Sequence, residues 1–260
     1  MIKTAPVFSD RMVLQKGSNI SVFGTGDNGD RVSVEFRGFT GSTAVKDGRW
    51  LVQLPAQSDY AGGLEMTVRS GDYSRTFTDI AIGEVWLAGG QSNMEYELRN
   101  CTTGQQHLDN DKPDVRFYYT PKINSLEPDY EKVMTNTGWS KFEGDSPKYW
   151  SAVGYIFAKE LSEKLGCTVG VIGCNWGGTK ACHWMSEESL RSDADMRWDY
   201  DKYLALCEGK TDEQLAKVYR DYEAYNNEWE KRKNDYYINT PDSYIRTSAG
   251  WQWLAESQCR

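Results

Sequence analysis

An apolar strand that runs straight into two glycines and a serine constrains this chain more than any other feature. Val85-Trp-Leu-Ala88 reads as the strand, Gly89-Gly90 end it, and Gln91-Ser-Asn-Met94 follow at once. Glu95-Tyr-Glu-Leu98 then suits the opening of a helix. A serine at a strand-to-helix turn stands at the carboxyl end of a sheet, where open α/β sheets bind ligands. Its backbone N–H points with the helix N-terminus toward an anion. An acyl-transfer nucleophile needs that geometry, with part of an oxyanion hole included. Ser92 is therefore the candidate nucleophile. The glycines ahead of it let substrate approach the backbone closely.

The chain around this turn changes character at Ile82. Residues 1 to about 80 read as all-β. Ile20-Ser-Val-Phe23, Arg31 to Phe36, Arg49 to Leu54, Leu64 to Val68 and Tyr73 to Ile82 are short strands with turn residues between them. That spacing predicts an antiparallel sandwich. From 81 to 260 strands and helices alternate. Asp114 to Tyr119 is a strand, and the segment from Pro121 to Trp139 reads as a long surface connection. Ser151 to Leu165 is a helix with apolar positions 153, 156, 157, 161 and 165, stopped by Gly166. Cys167 to Gly173 is a buried strand. The β–α–β succession predicts a parallel sheet. Residues 186 to about 238 read as a helical insertion, in which Thr211-Asp-Glu-Gln214 opens a capped helix.

A second glycine loop, Asn175-Trp-Gly-Gly-Thr179, ends that later strand. In a parallel sheet it falls at the same edge as Ser92. Bare N–H groups there can hold an oxyanion, so Ser92 and Gly178 are the candidate donors. The bland alternative is a pair of tight turns. Neither loop matches a dinucleotide or P-loop pattern. A serine nucleophile also needs a histidine base held by an acid. The chain has two histidines, His107 and His183, with Gly104 and Lys180 three residues before them. His107 reads as solvent-exposed in a polar connection. His183 is the candidate for contact with the site.

Composition removes several classes. A formal net charge of -8 with no basic cluster excludes a nucleic-acid surface. No apolar run approaches the ~20 residues of a membrane span. The start lacks a secretory pattern, so the expectation is a cytoplasmic protein if Met1 is the true start. Six cysteines fit no zinc pattern and read as free thiols, and the Asp27/Asp30 loop reads as a turn rather than a metal site.

Three blocks together carry a resemblance. They are Phe8-Ser-Asp-Arg-Met-Val-Leu-Gln15, Gly83 to Met94 with Trp150-Ser-Ala-Val-Gly-Tyr155, and Val171 to Thr179 with Trp184-Met185. On these the chain resembles the sialate O-acetylesterase family, a branch of the SGNH/GDSL-type serine hydrolases. The resemblance covers about residues 5 to 190. It implies a β-sandwich joined to a three-layer α/β/α hydrolase domain, with acetyl esters on sugars as substrates and no metal or organic cofactor. It assigns Ser92 as nucleophile and Gly178 as an oxyanion-hole donor. Gln91, Asn93, Gly177 and Thr179 support them. The family also carries a Tyr-Gln-Gly-Glu-like strand end and an Asp-x-x-His block that supplies acid and base. Neither occurs in these 260 residues. The expectation is therefore a partial hydrolase domain completed by a further C-terminal segment or a second chain. The alternative is a carbohydrate-binding or assembly module that retains the fold without the base.

Overall fold

Alternating burial builds the first half of the protein. The computed structural model describes residues 2–123 and 130–239. Strands β1 (Lys3–Thr4), β2 (Val13–Gln15), β3 (Ile20–Thr25), β4 (Arg31–Phe36), β5 (Phe39–Ala44), β6 (Arg49–Leu54) and β7 (Ala61–Ser70) lead into β8 (Tyr73–Gly90). In β4 the buried residues are Val32, Val34 and Phe36, and in β6 they are Trp50, Val52 and Leu54. Such period-two burial is what one solvated face and one core face require. Strands β1, β3 and β6 form a small antiparallel sheet. It shares a core with β4, β7 and the first half of β8, where Val22, Val34, Met66, Val68 and Phe77 are fully buried.

The second half of β8 enters a different environment. Strands β9 (Val115–Tyr119), β10 (Trp139–Lys141) and β11 (Val169–Asn175) extend the larger sheet in the order β10-β9-β11-β8-β7-β4-β5. Strand β11 is parallel to both β8 and β9, while β10 is antiparallel to β9. The break expected near residue 82 is therefore a change of neighbours along one 18-residue strand. The Gln15 amide clamps that change-over. Its Oε1 accepts the Val85 N–H at 2.8 Å and its Nε2 donates to Glu84 Oε2 at 2.9 Å.

Helices α1 (Ser92–Glu95), α2 (Gly104–Asn110), α3 (Tyr130–Thr135) and α4 (Ala152–Leu165) belong to this part. Ser151 caps α4 by accepting the Gly154 N–H at 3.0 Å, and Gly166 ends it at φ 63°. The face that α4 buries differs from the expected one. Ala152, Gly154, Tyr155, Ala158 and Ser162 are buried, while Val153, Ile156, Phe157 and Leu165 are exposed. Small residues let the helix lie close: a Cβ on Gly154 would meet Phe117 Cζ at 3.1 Å. The surface connection expected over 121–139 holds α3, and residues 124–129 of it lie outside the described ones.

The chain divides into two compact units, residues 1–123 with 129–183, and residues 124–128 with 184–260. The second contains α5 (Glu187–Ser192), α6 (Ala194–Cys207) and α7 (Asp212–Asn239). Helix α7 opens with a reciprocal cap: Thr211 Oγ1 accepts the Gln214 N–H, and Gln214 Oε1 accepts the Thr211 N–H. Among the described residues no helix is long and apolar enough to cross a membrane. The segment Gly250 to Leu254 lies outside the described residues.

Candidate functional site

Parallel register brings the two glycine loops together. Cys174 pairs with Gly89 and Asn175 with Gly90, so β8 and β11 end side by side. The Trp176 N–H donates to the Gly90 carbonyl at 3.0 Å. Gln91 Nε2 donates to the Thr179 carbonyl at 3.2 Å. A Cβ built on Gly177 would lie 3.7 Å from Ser92 Cα. Ser92, Gln91, Gly177, Gly178 and Thr179 thus gather at the carboxyl edge of the parallel strands. Asn93 stands exposed on the same turn.

The Ser92 side chain is exposed, and its Oγ donates to Gln91 Oε1 at 3.2 Å. Gln91 therefore joins the serine turn to the second loop through both ends of its amide. Gly178 adopts φ +80°, a left-handed conformation that suits glycine. Its N–H makes no protein hydrogen bond among the described residues. Thr179 Oγ1 closes the loop on the Trp176 carbonyl at 2.7 Å. Beneath them, buried Asn175 donates to the Tyr119 hydroxyl at 3.3 Å and to the Ala88 carbonyl at 3.5 Å.

The sequence marks Glu95 only as a helix-opening residue, yet its carboxylate ties the site together. It accepts the Gly177 N–H through Oε2 and the Lys122 ammonium through Oε1. Gly177 is thereby occupied as a donor, and Gly178 is the open one. The hydrogen bond from Lys122 holds the Glu95 carboxyl below its ordinary range against the opposing effect of burial, and the Gly177 N–H adds to that lowering. The sequence signal was the acid three residues after the serine. Its partner at Gly177 is visible only once the register is known.

The helix after Ser92 is shorter than expected. It closes after one turn at Glu95, and Tyr96 departs at ψ 114°. Glu97 instead bridges to Ser151, with the Leu98 N–H on the Trp150 carbonyl and the Ala152 N–H on the Tyr96 carbonyl. A four-residue helix supplies little macrodipole, so any anion binding here rests on individual N–H groups.

The histidines sit elsewhere. His107 is half-buried rather than solvent-exposed. Its Nδ1 lies 2.7 Å from Asp111 Oδ2, and its ring packs edge-on against Tyr155. Tyr155 Oη also donates to Asp111, at 2.7 Å. Burial opposes ionisation of Asp111, but these hydrogen bonds outweigh it and keep its carboxyl below the usual range. This carboxylate–imidazole pair is spent on the helix layer. His183 is exposed in a short 3-10 turn, where its Nδ1 accepts the Lys180 N–H at 3.1 Å. A neutral ring held that way carries its proton on Nε2, so it offers a donor rather than a base. Neither histidine is hydrogen-bonded to Ser92 among the described residues. No cluster of three or more His, Cys, Asp or Glu there suits a metal ion.

A parallel sheet continuous with a β-sandwich, carrying a Gly-Gly-Gln-Ser turn against a Gly-Gly-Thr loop, defines a mixed α/β domain with a serine at a strand end. No family model matches the chain. It is similar to the sialate O-acetylesterases of Pongo abelii and Homo sapiens, at 28% identity over 212 and 208 residues. A carbohydrate acetylesterase from Xanthomonas citri superposes with a TM-score of 0.65 and 31% identity over 75% of this chain and 45% of that one. These likenesses support a relationship to the sialate O-acetylesterases. The matches to the two curated relatives cover 72% of this chain but only 39% of each relative's length.

Proposed function

We propose that this chain carries the nucleophile and oxyanion-binding part of a carbohydrate O-acetylesterase. The observation that supports this is Ser92 lying against the Gly177–Gly178 loop at the carboxyl edge of β8 and β11. The substrate class is an acetyl ester on a sugar hydroxyl. In the reaction, Ser92 Oγ attacks the acetyl carbonyl while a base removes its proton. The N–H groups of Ser92 and Gly178 take the developing oxyanion. The sugar oxygen leaves with the proton, and the acetyl group stays on Ser92. Water then attacks the acyl-enzyme and releases acetate. Gln91 and Thr179 hold the two loops in register, and Glu95 fixes Gly177.

Among the described residues no histidine base is hydrogen-bonded to Ser92. Removing a triad histidine lowers turnover by about 10⁶-fold and leaves residual catalysis from binding and the oxyanion hole. The test is acetate release from O-acetylated sialic acid and from acetylated xylan, with and without added imidazole as an external base. The expected result is a slow, imidazole-stimulated release on at least one sugar that Ser92→Ala loses. Equal release by wild type and Ser92→Ala on both substrates would sink the reading.

A further inference from the structure

The outer face of the small sheet sets a row of charge beside a row of apolar surface. Lys3 on β1 and Arg49 on β6 both pair in register with Thr25 on β3. Paired residues share a face, so the three stand in line across the sheet. Neighbouring strands lie about 4.8 Å apart, which puts Lys3 and Arg49 about 10 Å apart with Thr25 between them. The next row on that face is Phe23 opposite Leu51, which are 44% and 50% exposed. Phe8 packs edge-on against Phe23, with ring centroids 5.1 Å apart, and steadies its ring. Lys3, Phe23, Thr25 and Arg49 line an open cleft of about 390 Å³, to which Met134 and Thr135 of α3 contribute. That volume lies in the range of small-molecule sites.

The cleft is cationic in an acidic protein. The chain carries a formal net charge of -8, yet the described lining of the cleft contains Lys3 and Arg49 and no carboxylate. Arg11, Arg37, Arg69 and Arg116 each hold a carboxylate, whereas the Arg49 guanidinium holds none among the described residues. The type of anion follows from the donors. Strand β3 lies between β1 and β6, so its backbone N–H groups serve the two ladders. Phosphate cradles are built from free backbone N–H groups, and this cleft offers side chains instead. A guanidinium fork matches a planar carboxylate. Beside it, the exposed Phe23 ring suits the C–H face of a sugar ring, and the Thr25 hydroxyl can donate to or accept from a sugar hydroxyl.

We propose that this cleft binds a carboxylate-bearing pyranose of an acidic glycan, with the carboxylate on Arg49 and the ring face on Phe23. Lys3 adds positive potential at the far side of Thr25. A uronic acid and a sialic acid both present this chemistry. None of these residues belongs to the Ser92 turn, so the inference stands whether or not Ser92 reacts.

The test is an amide-resolved NMR titration of the wild-type chain and of Ser92→Ala. The probes are methyl glucuronide, the methyl glycoside of sialic acid, neutral methyl glucoside and inorganic phosphate. At least one charged sugar is expected to shift the Thr25 and Arg49 amides saturably at millimolar concentration, equally in both proteins. Which of the two saturates first separates the uronic from the sialic source. Methyl glucoside and phosphate are expected to leave these amides in place. Arg49→Gln and Phe23→Ser are each expected to weaken binding by at least about tenfold. Arg49→Lys keeps the charge but loses the fork, and is expected to weaken it too. The Trp50 indole N–H, which donates to the Thr25 carbonyl at 3.0 Å, reports in each variant that the sheet is intact. Equal shifts with phosphate overturn the proposal, since the cleft is then a simple anion site. Equal shifts with methyl glucoside overturn it, since the carboxylate then plays no part. So do shifts confined to Ser92 and Gly178, no shift with either charged sugar, or unchanged affinity in any of the three cleft variants.

Discussion

Glu95 does at residue scale what neither glycine loop does alone. Its carboxylate joins the Ser92 turn to Gly177 and is itself held by Lys122. Because the folded carboxyl titrates below its ordinary value, its contribution is present above the unfolded pKa and is lost as pH falls through the folded one. The Gly177 amide resonance is therefore expected to shift on acidification below about pH 4 in wild type and to stay fixed in Glu95→Gln. Gly178 bears a second prediction. Space is open around it, but its φ of +80° is strained for any L side chain. Gly178→Ala is expected to cost about 1 kcal/mol, which lowers the melting temperature by about 2–4 °C in calorimetry. The serine and the second loop were legible in the sequence because both combine glycines with a strand end. Glu95 was not, because its partner lies 82 residues away. His107 misled for a similar reason: a polar segment concealed a partner four residues on, at Asp111.

Helix α4 separates what periodicity reveals from what it cannot. Its ends follow from Ser151 and Gly166, and both lie where capping chemistry puts them. Ser151 is fully buried, accepts the Gly154 N–H and donates to Met94 Sδ. Ser151→Ala is expected to destabilise the protein by about 1–2 kcal/mol in urea unfolding, with the slope against denaturant unchanged. The face is another matter. Counting apolar residues finds the stripe at 153, 156 and 157 but not what covers it, and here Gly154 and Ala158 make the contact with the sheet. Strands β4 and β6 were legible because they alternate. Strand β5 carries few apolar residues and is fixed mainly by its pairing with β4. The one-turn α1 escaped local reading because Tyr96 to Leu98 pair with Trp150 to Ala152, far along the chain.

At the scale of the first unit, a buried cation ties the two halves of the large sheet. Arg116 on β9 is 5% exposed and reaches the Arg11 carbonyl at 2.9 Å and Asp79 Oδ1 at 3.2 Å. Burial opposes ionisation of Asp79, and the Lys141 and Arg116 charges outweigh it, keeping its carboxyl low. Asp79→Asn keeps the side-chain shape that tolerates its φ of 55° and removes the charge. The expected cost is about 1–3 kcal/mol at neutral pH. The depressed pKa makes that advantage one of higher pH. The melting temperatures of wild type and Asp79→Asn are expected to converge as pH falls below about 4. Nothing in Val-Arg-Phe-Tyr-Tyr119 announces this role, since the arginine's partners come from β8 and the segment before β2. The most direct check of the account as a whole is intact-mass analysis after fluorophosphonate treatment, with and without imidazole, beside Ser92→Ala. A slow single adduct is expected on wild type, accelerated by imidazole and absent from Ser92→Ala. A rapid stoichiometric adduct without imidazole would contradict the missing base, and no adduct under any condition would contradict Ser92 as the nucleophile.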